Sequence, residues 1–207
     1  VNVLLRLLWT MAGSLLARRL PYLVPSTISL RVLPHDCDPN WHLTNARYLS
    51  FCDVAMVALV IRTNFWWRAL RKRWRGVIGA SQILYLREIK PFSRCTITST
   101  VLGWDAMYFY VEHRFLVKDQ LHSVVWSRLA LLYRGQVLPA PQAVRLLGAA
   151  CPSPGLPEAV LRWRDNLQAA VGQFKEYRPD QSAPADATAS AHPGRMVLPS
   201  IEKTTRS

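Results

Sequence analysis

Between Tyr48 and Ile61 the chain carries one charge, Asp53, and this segment constrains the fold more than any other. Tyr48, Cys52, Ala55 and Leu59 fall at i, i+4, i+7 and i+11, a single stripe of a helix. Leu49, Phe51, Val54 and Val57 cover much of the remaining circumference. A helix that is apolar nearly all round must be buried nearly all round. The segments beside it read as strands, and a small sheet can enclose a long helix only by curling around it. The expected class is therefore α+β, a curved antiparallel sheet wrapped around a long central helix.

The strands are legible from their alternation. In Ser26 to Leu33, Ile28 and Leu30 share one face with Val32, while Thr27, Ser29 and Arg31 take the other. Pro34 lacks a ladder donor and ends the run. Gly76 and Gly79 introduce a stretch of strand formers from Val77 to Ile89 that stops at Pro91. Thr96 to Leu102, Tyr108 to Val117 and Ser123 to Tyr133 follow, joined by the turn-like Gly103-Trp104-Asp105-Ala106 and Lys118-Asp119-Gln120. Such short connections predict an antiparallel meander. A late helix is expected from Pro157 to Phe174, and the Pro, Ala, Ser and Thr content beyond Arg178 predicts a disordered tail. The domain plan is an apolar N-terminal helix over 1–25, the main domain over 26–148, a helical extension over 149–177 and a tail over 178–207.

Composition narrows the partners. Lys and Arg outnumber Asp and Glu by 26 to 13, a net charge of +13 that calls for an anionic partner: nucleic acid, a membrane surface or a phosphorylated ligand. Cys37, Cys52, Cys95 and Cys151 show no CxxC spacing, which argues against zinc, a redox dithiol or a disulfide scaffold and favours a reducing, cytoplasmic setting. From Val3 to Leu20 only Arg6, Arg18 and Arg19 interrupt an apolar run. With Trp9 it reads as an interfacial helix on an anionic membrane, or equally as a helix packed on the domain or on a partner subunit. A basic-aromatic run over 66–75 interleaves Trp66, Trp67 and Trp74 with Arg68, Arg71, Lys72, Arg73 and Arg75. It suits contact with the phosphates of an anionic ligand, an acidic partner or a membrane, or is simply a solvated helix end. It lacks any recognisable nucleic-acid motif.

The chemistry is concentrated in residues 36–48, where Asp36, Asp38, Asn40, His42 and Asn45 lie just ahead of the buried helix. Neither GxxxxGK[ST], GxGxxG nor HExxH occurs. Gly79-Ala80-Ser81-Gln82-Ile83 approaches a nucleophile elbow but lacks its second glycine. A thioester is a substrate that the 36–48 cluster can handle, because its thiol leaving group has a pKa of roughly 8.5. One carboxylate to activate water or attack, with donors for the carbonyl oxygen, is the minimum; no metal or cofactor is required. Unpaired N–H groups at a helix start supply such donors.

The strand-helix-four-strand order over residues 28–134 resembles the hotdog-fold thioesterases. Asp36-Cys37-Asp38-Pro39 is similar to the catalytic-loop motif of bacterial 4-hydroxybenzoyl-CoA thioesterases. Asp38-Pro39-Asn40-Trp41-His42, followed by Asn45 and Tyr48, looks like the D-x-N-x-H-x-x-N-x-x-Y pattern of plant acyl-ACP thioesterases. Leu102-Gly103-Trp104-Asp105 and the apolar N-terminus are most similar to thioesterase superfamily member six-like proteins and their bacterial relatives. That group usually shows His-Met-Asn-Asn where this chain has His42-Leu43-Thr44-Asn45, and Thr44 is still a competent cap. The resemblance implies a homodimer or homotetramer with sites at the subunit interface and an acyl chain lying along the central helix. It implies acyl-CoA or acyl-carrier protein as substrate, with Asp38 as general base or nucleophile and Asn40 and His42 assisting. Asn45, Tyr48 and Ser81 are the candidates for substrate contact. Asp36 reads as a loop-shaping or salt-bridged carboxylate, and the two aspartates beside Cys37 should raise its pKa and make it a poor nucleophile. A non-catalytic module binding acyl thioesters or lipid for a partner is the second reading; a hotdog dehydratase is the third.

Overall fold

The computed structural model describes residues 2–148 and 152–175. The chain divides into two units, Val1–Trp163 and Arg164–Ser207. The expected tail over 178–207 lies outside the described residues.

The first unit opens with α1 (Asn2–Leu16), followed by strand β1 (Ser26–Arg31), a single 3-10 turn at Pro34–Asp36 and the central helix α2 (Asn45–Arg62). A short α3 (Phe65–Arg71) leads into β2 (Arg75–Tyr85), β3 (Arg94–Trp104), β4 (Phe109–Val117) and β5 (Gln120–Tyr133). A three-residue β6 (Gln136–Leu138), α4 (Ala140–Leu146) and α5 (Glu158–Lys175) complete the described elements. All strands pair antiparallel in the order β1-β3-β4-β5-β2, with β6 added beside β5. The meander of β3, β4 and β5 is as expected. β2 crosses over to pair with β5 and ends the sheet, so one side of its backbone has no strand beside it.

The sheet curls around α2. Tyr48, Phe51, Cys52 and Ala55 meet Ile97, Phe115 and Val125 of the sheet in one core, closed by Val32, Leu43 and Ile89. The predicted stripe of Tyr48, Cys52, Ala55 and Leu59 is wholly buried. All-round burial is not achieved. Leu49 is 42% exposed and Asp53 is also exposed, so this flank of α2 is not closed over.

Three departures from the sequence reading have a local physical cause. β2 ends at Tyr85 instead of Ile89, because the N–H groups of Leu86 and Arg87 both donate to the His122 carbonyl and turn the chain out of the ladder. β6 and α4 are too short for any periodicity to show. The expected Gly103-Trp104-Asp105-Ala106 connection is not a turn at its first two residues: Gly103 and Trp104 stay in β3, past a register shift after Val101. Gly103 has φ +154°, and a Cβ there would lie 2.7 Å from the Pro154 carbonyl oxygen. Only glycine lets the extension approach so closely, where Ser153 Oγ accepts from the Trp104 N–H and donates to its carbonyl, both at 2.8 Å. The start of α5 then covers the outer face of the sheet, its Trp163 ring against Tyr110 and Trp126.

Candidate active site

The residue 36–48 cluster forms a small hairpin at the amino end of α2. Cys37 and Leu43 pair as an isolated antiparallel bridge, and the Leu43 N–H donates to the Ile89 carbonyl at 2.8 Å. The five residues between them are folded by the Asp38 side chain. Its Oδ1 accepts from the backbone N–H groups of Asn40 at 3.0 Å and His42 at 3.3 Å, an Asx-type turn. Trp41 takes the left-handed conformation, φ 60°, to close it.

Asp38 therefore has a structural and a chemical face at once. Slight burial raises its pKa, but the His42 N–H, the His42 imidazole and the Asn40 N–H outweigh that and hold the carboxyl below the usual range. It is ionised at neutral pH, as a base or nucleophile must be. His42 stands between two carboxylates, its Nδ1 3.4 Å from Asp38 Oδ1 and its Nε2 3.4 Å from Glu88 Oε2. Both distances exceed those of strong hydrogen bonds. Lys90 in turn binds Glu88 at 3.0 Å.

The central helix starts at Asn45. Thr44 occupies the cap position with extended backbone, φ −67° and ψ 149°, but its side chain makes no capping bond. The expected cap is thus kept in backbone and missing in chemistry. The Arg47 N–H donates to the Thr44 carbonyl at 2.9 Å. Without a side-chain cap, the Asn45 and Ala46 N–H groups ahead of it keep their hydrogen-bonding capacity for a ligand or water. Asn40 and Asn45 are both exposed beside this end.

Asp36 has a different role. It is fully buried and accepts from both terminal nitrogens of Arg6 and from the Leu33 N–H, with Arg47 Nε at 3.4 Å. It shapes the loop, as a salt-bridged carboxylate would. Burial and then the charges of Asp36 and Asp38 push the Cys37 thiol up, which makes it a poor nucleophile. Tyr48 points into the core, 3% exposed, its ring 5.0 Å from Tyr85 and 5.2 Å from Phe115. Ser81 is exposed on β2, 3.4 Å from Ser127 Oγ, and the described contacts do not bring it to the Asp38 loop.

A second feature lies along the other half of α2. An apolar cavity of about 390 Å³ is walled by Met56, Val57, Leu59 and Val60 of α2, Phe65, Trp66 and Ala69 of α3, and Val101, Val111 and Leu129 of the sheet. Asp53 is its one carboxylate; the residue keeps an exposed side, and partial burial of its carboxyl at the cavity wall pushes it above the usual range. Sequence reasoning missed Glu88 and the place of Asp53 on the cavity wall. Glu88 left a trace, being the single acidic residue between Asp53 and Asp105. Among the described residues no group of His, Cys, Asp and Glu is arranged to hold a metal ion.

A family model described as the thioesterase-like superfamily matches residues 32–163, which take in the loop, the central helix and every strand of the sheet after β1. The chain belongs to the thioesterase-like superfamily. Within it, the chain is similar to the protein THEM6 of Danio rerio, 36% identical over 89 residues that cover 43% of this chain and 44% of that protein. It spans less than half of that relative. It is also 31% identical to THEM6 of Drosophila melanogaster over 179 residues, 85% of this chain and 91% of that protein. Among solved structures, the 4-hydroxybenzoyl CoA thioesterase of Pseudomonas sp. strain CBS-3 superposes with a TM-score of 0.53 over 59% of this chain and 98% of its own, at 15% identity. That likeness is one of fold, and the fold is the hotdog.

Proposed function

We propose that this protein hydrolyses acyl thioesters, acyl-CoA or acyl-carrier protein, with Asp38 as general base or nucleophile. The observation that carries the reading is the Asp38 carboxylate, kept ionised by the turn it organises, beside the uncapped amino end of α2. The N–H groups of that end polarise the thioester carbonyl and stabilise the oxyanion that forms. His42 and Asn40 orient water and substrate, and Glu88 sets the position of the imidazole. As general base Asp38 takes the proton of the attacking water as the acyl–oxygen bond forms, and the oxyanion then collapses to expel the thiolate, which takes up that proton. As nucleophile Asp38 forms a mixed anhydride that water hydrolyses, and no cofactor is needed. The cavity along the far half of α2 takes the acyl chain, which its apolar walls favour.

The active assembly is a homodimer or a tetramer built from it. β2 is a long edge strand with Val77 at 40%, Ile78 at 43%, Leu84 at 37% and Tyr85 at 49% exposure, beside the open Leu49 stripe of α2. A long apolar edge is a template for strand pairing, and a second copy satisfies it.

Thiol release from a panel of acyl-CoAs and an acyl-carrier protein tests the activity. The expected result is turnover of at least one of them. Tight acyl-CoA binding without thiol release would favour the second reading, a non-catalytic module that presents acyl thioesters to a partner.

A further inference from the structure

The helix α1 is amphipathic in the inverted sense. Its buried stripe is polar: Arg6, Thr10 and Ser14, at i, i+4 and i+8, face the protein. Its outward face carries Leu4, Leu5, Leu8, Trp9, Leu15 and Leu16. Leu16 at 90% and Trp9 at 83% are the most exposed large apolar side chains among the described residues. Helices on water-soluble surfaces turn polar residues outward, so the outer surroundings of this one are apolar.

We propose that α1 is the face by which the protein lies on an anionic phospholipid bilayer. The charge pattern selects this occupant. Arg6, Arg18, Arg19 and Arg31 are the only charged residues before Asp36. Arg18 is exposed beside the apolar face. Arg6 is compensated by Asp36, but a second copy of the chain would bring the same Arg18 and Arg19 charges to the contact, whereas phosphodiester headgroups neutralise them. The helix is also fixed flat. Arg6 binds Asp36 at one end, and at the other Arg19 donates to the Ile61 carbonyl at 2.6 Å and the Leu20 N–H to that of Arg62 at 2.9 Å. With one whole flank on α2, the helix meets lipid along its length instead of being surrounded by it. Among the described residues no single helix is long and apolar enough to cross a membrane.

Flotation of the full chain with vesicles tests this, comparing phosphatidylcholine alone with phosphatidylcholine mixed with phosphatidylglycerol. The wild type is expected to float with the mixed vesicles and to be partly released by salt. Leu5→Gln/Trp9→Gln/Leu16→Gln alters only exposed side chains, so its melting temperature should hold while its affinity for mixed vesicles falls at least about tenfold. Wild-type affinity in that variant, or no flotation of the wild type, would overturn the proposal. Equal binding to phosphatidylcholine alone would overturn the anionic preference. A fall in molar mass of the variant in sedimentation would assign the face to a second copy instead.

Discussion

Arg6 grips Asp36 with both terminal nitrogens, Nη1 3.1 Å from Oδ1 and Nη2 2.7 Å from Oδ2, while its guanidinium lies 4.9 Å from the centre of the Phe51 ring. One side chain thus ties α1 to the loop that carries Asp38 and to the central helix.

Breaking that tie is expected to loosen the loop. Arg6→Gln leaves a fully buried carboxylate with Arg47 as its remaining close guanidinium, at 3.4 Å. Removing one partner of a buried pair costs about 3 kcal/mol. Urea denaturation should register this loss, and hydrogen exchange should quicken over residues 36–43. Protection unchanged in that segment would mean that the loop holds itself without α1.

Stability should also fall in mild acid, through His113. Its imidazole is fully buried, Nδ1 is 2.8 Å from Ser99 Oγ, and Nε2 has no partner. Burial pushes its pKa down from 6.5 to about 4. The unfolded chain then binds a proton that the folded chain refuses, so stability is complete above pH 6.5 and declines as pH falls toward about 4. The whole window amounts to roughly 3 kcal/mol. Denaturation midpoints across that range, compared with His113→Gln, should show a slope in the wild type that the variant flattens.

The edge of β2 gives a prediction about assembly. Val77→Lys with Leu84→Lys places two charges on one face of the strand, opposite Ala130 and Val124 because the register shifts after Ile78, and charged edge strands resist pairing. Sedimentation velocity is expected to report a dimer or larger for the wild type and a single chain for the variant. A dimer that survives both lysines would place the interface elsewhere.

Chain-length preference follows from the cavity. Val60→Phe projects a ring into space walled by Val57, Leu59 and Ala69. Displacing about three methylenes of a bound chain removes about 2 kcal/mol. KM for long-chain acyl-CoA should therefore rise at least about tenfold, with short-chain substrates little changed.

The sequence reading reached furthest where information is local. The burial stripe of α2 is written in one segment, and so is the turn at Asp38, whose backbone partners lie two and four residues away. The distinction between Asp36 and Asp38 was also legible, since the motif separates them. Arg6 was not, because its bond to Asp36 spans 30 residues that carry no shared period. Glu88 escaped for the same reason: it meets His42 only once the chain leaves β2 and passes the loop. The sequence marked α1 as apolar with arginines. That its polar residues turn inward emerges only when α2 shows which flank is covered.

The most direct test of the central claim is thiol release by wild type and Asp38→Ala, measured in parallel on the best acyl-CoA of the panel. A positioned acid or base contributes about 10²- to 10⁴-fold. Turnover is expected to fall by that factor while acyl-CoA binding persists. Equal turnover in the two proteins would remove Asp38 from the chemistry and contradict the account.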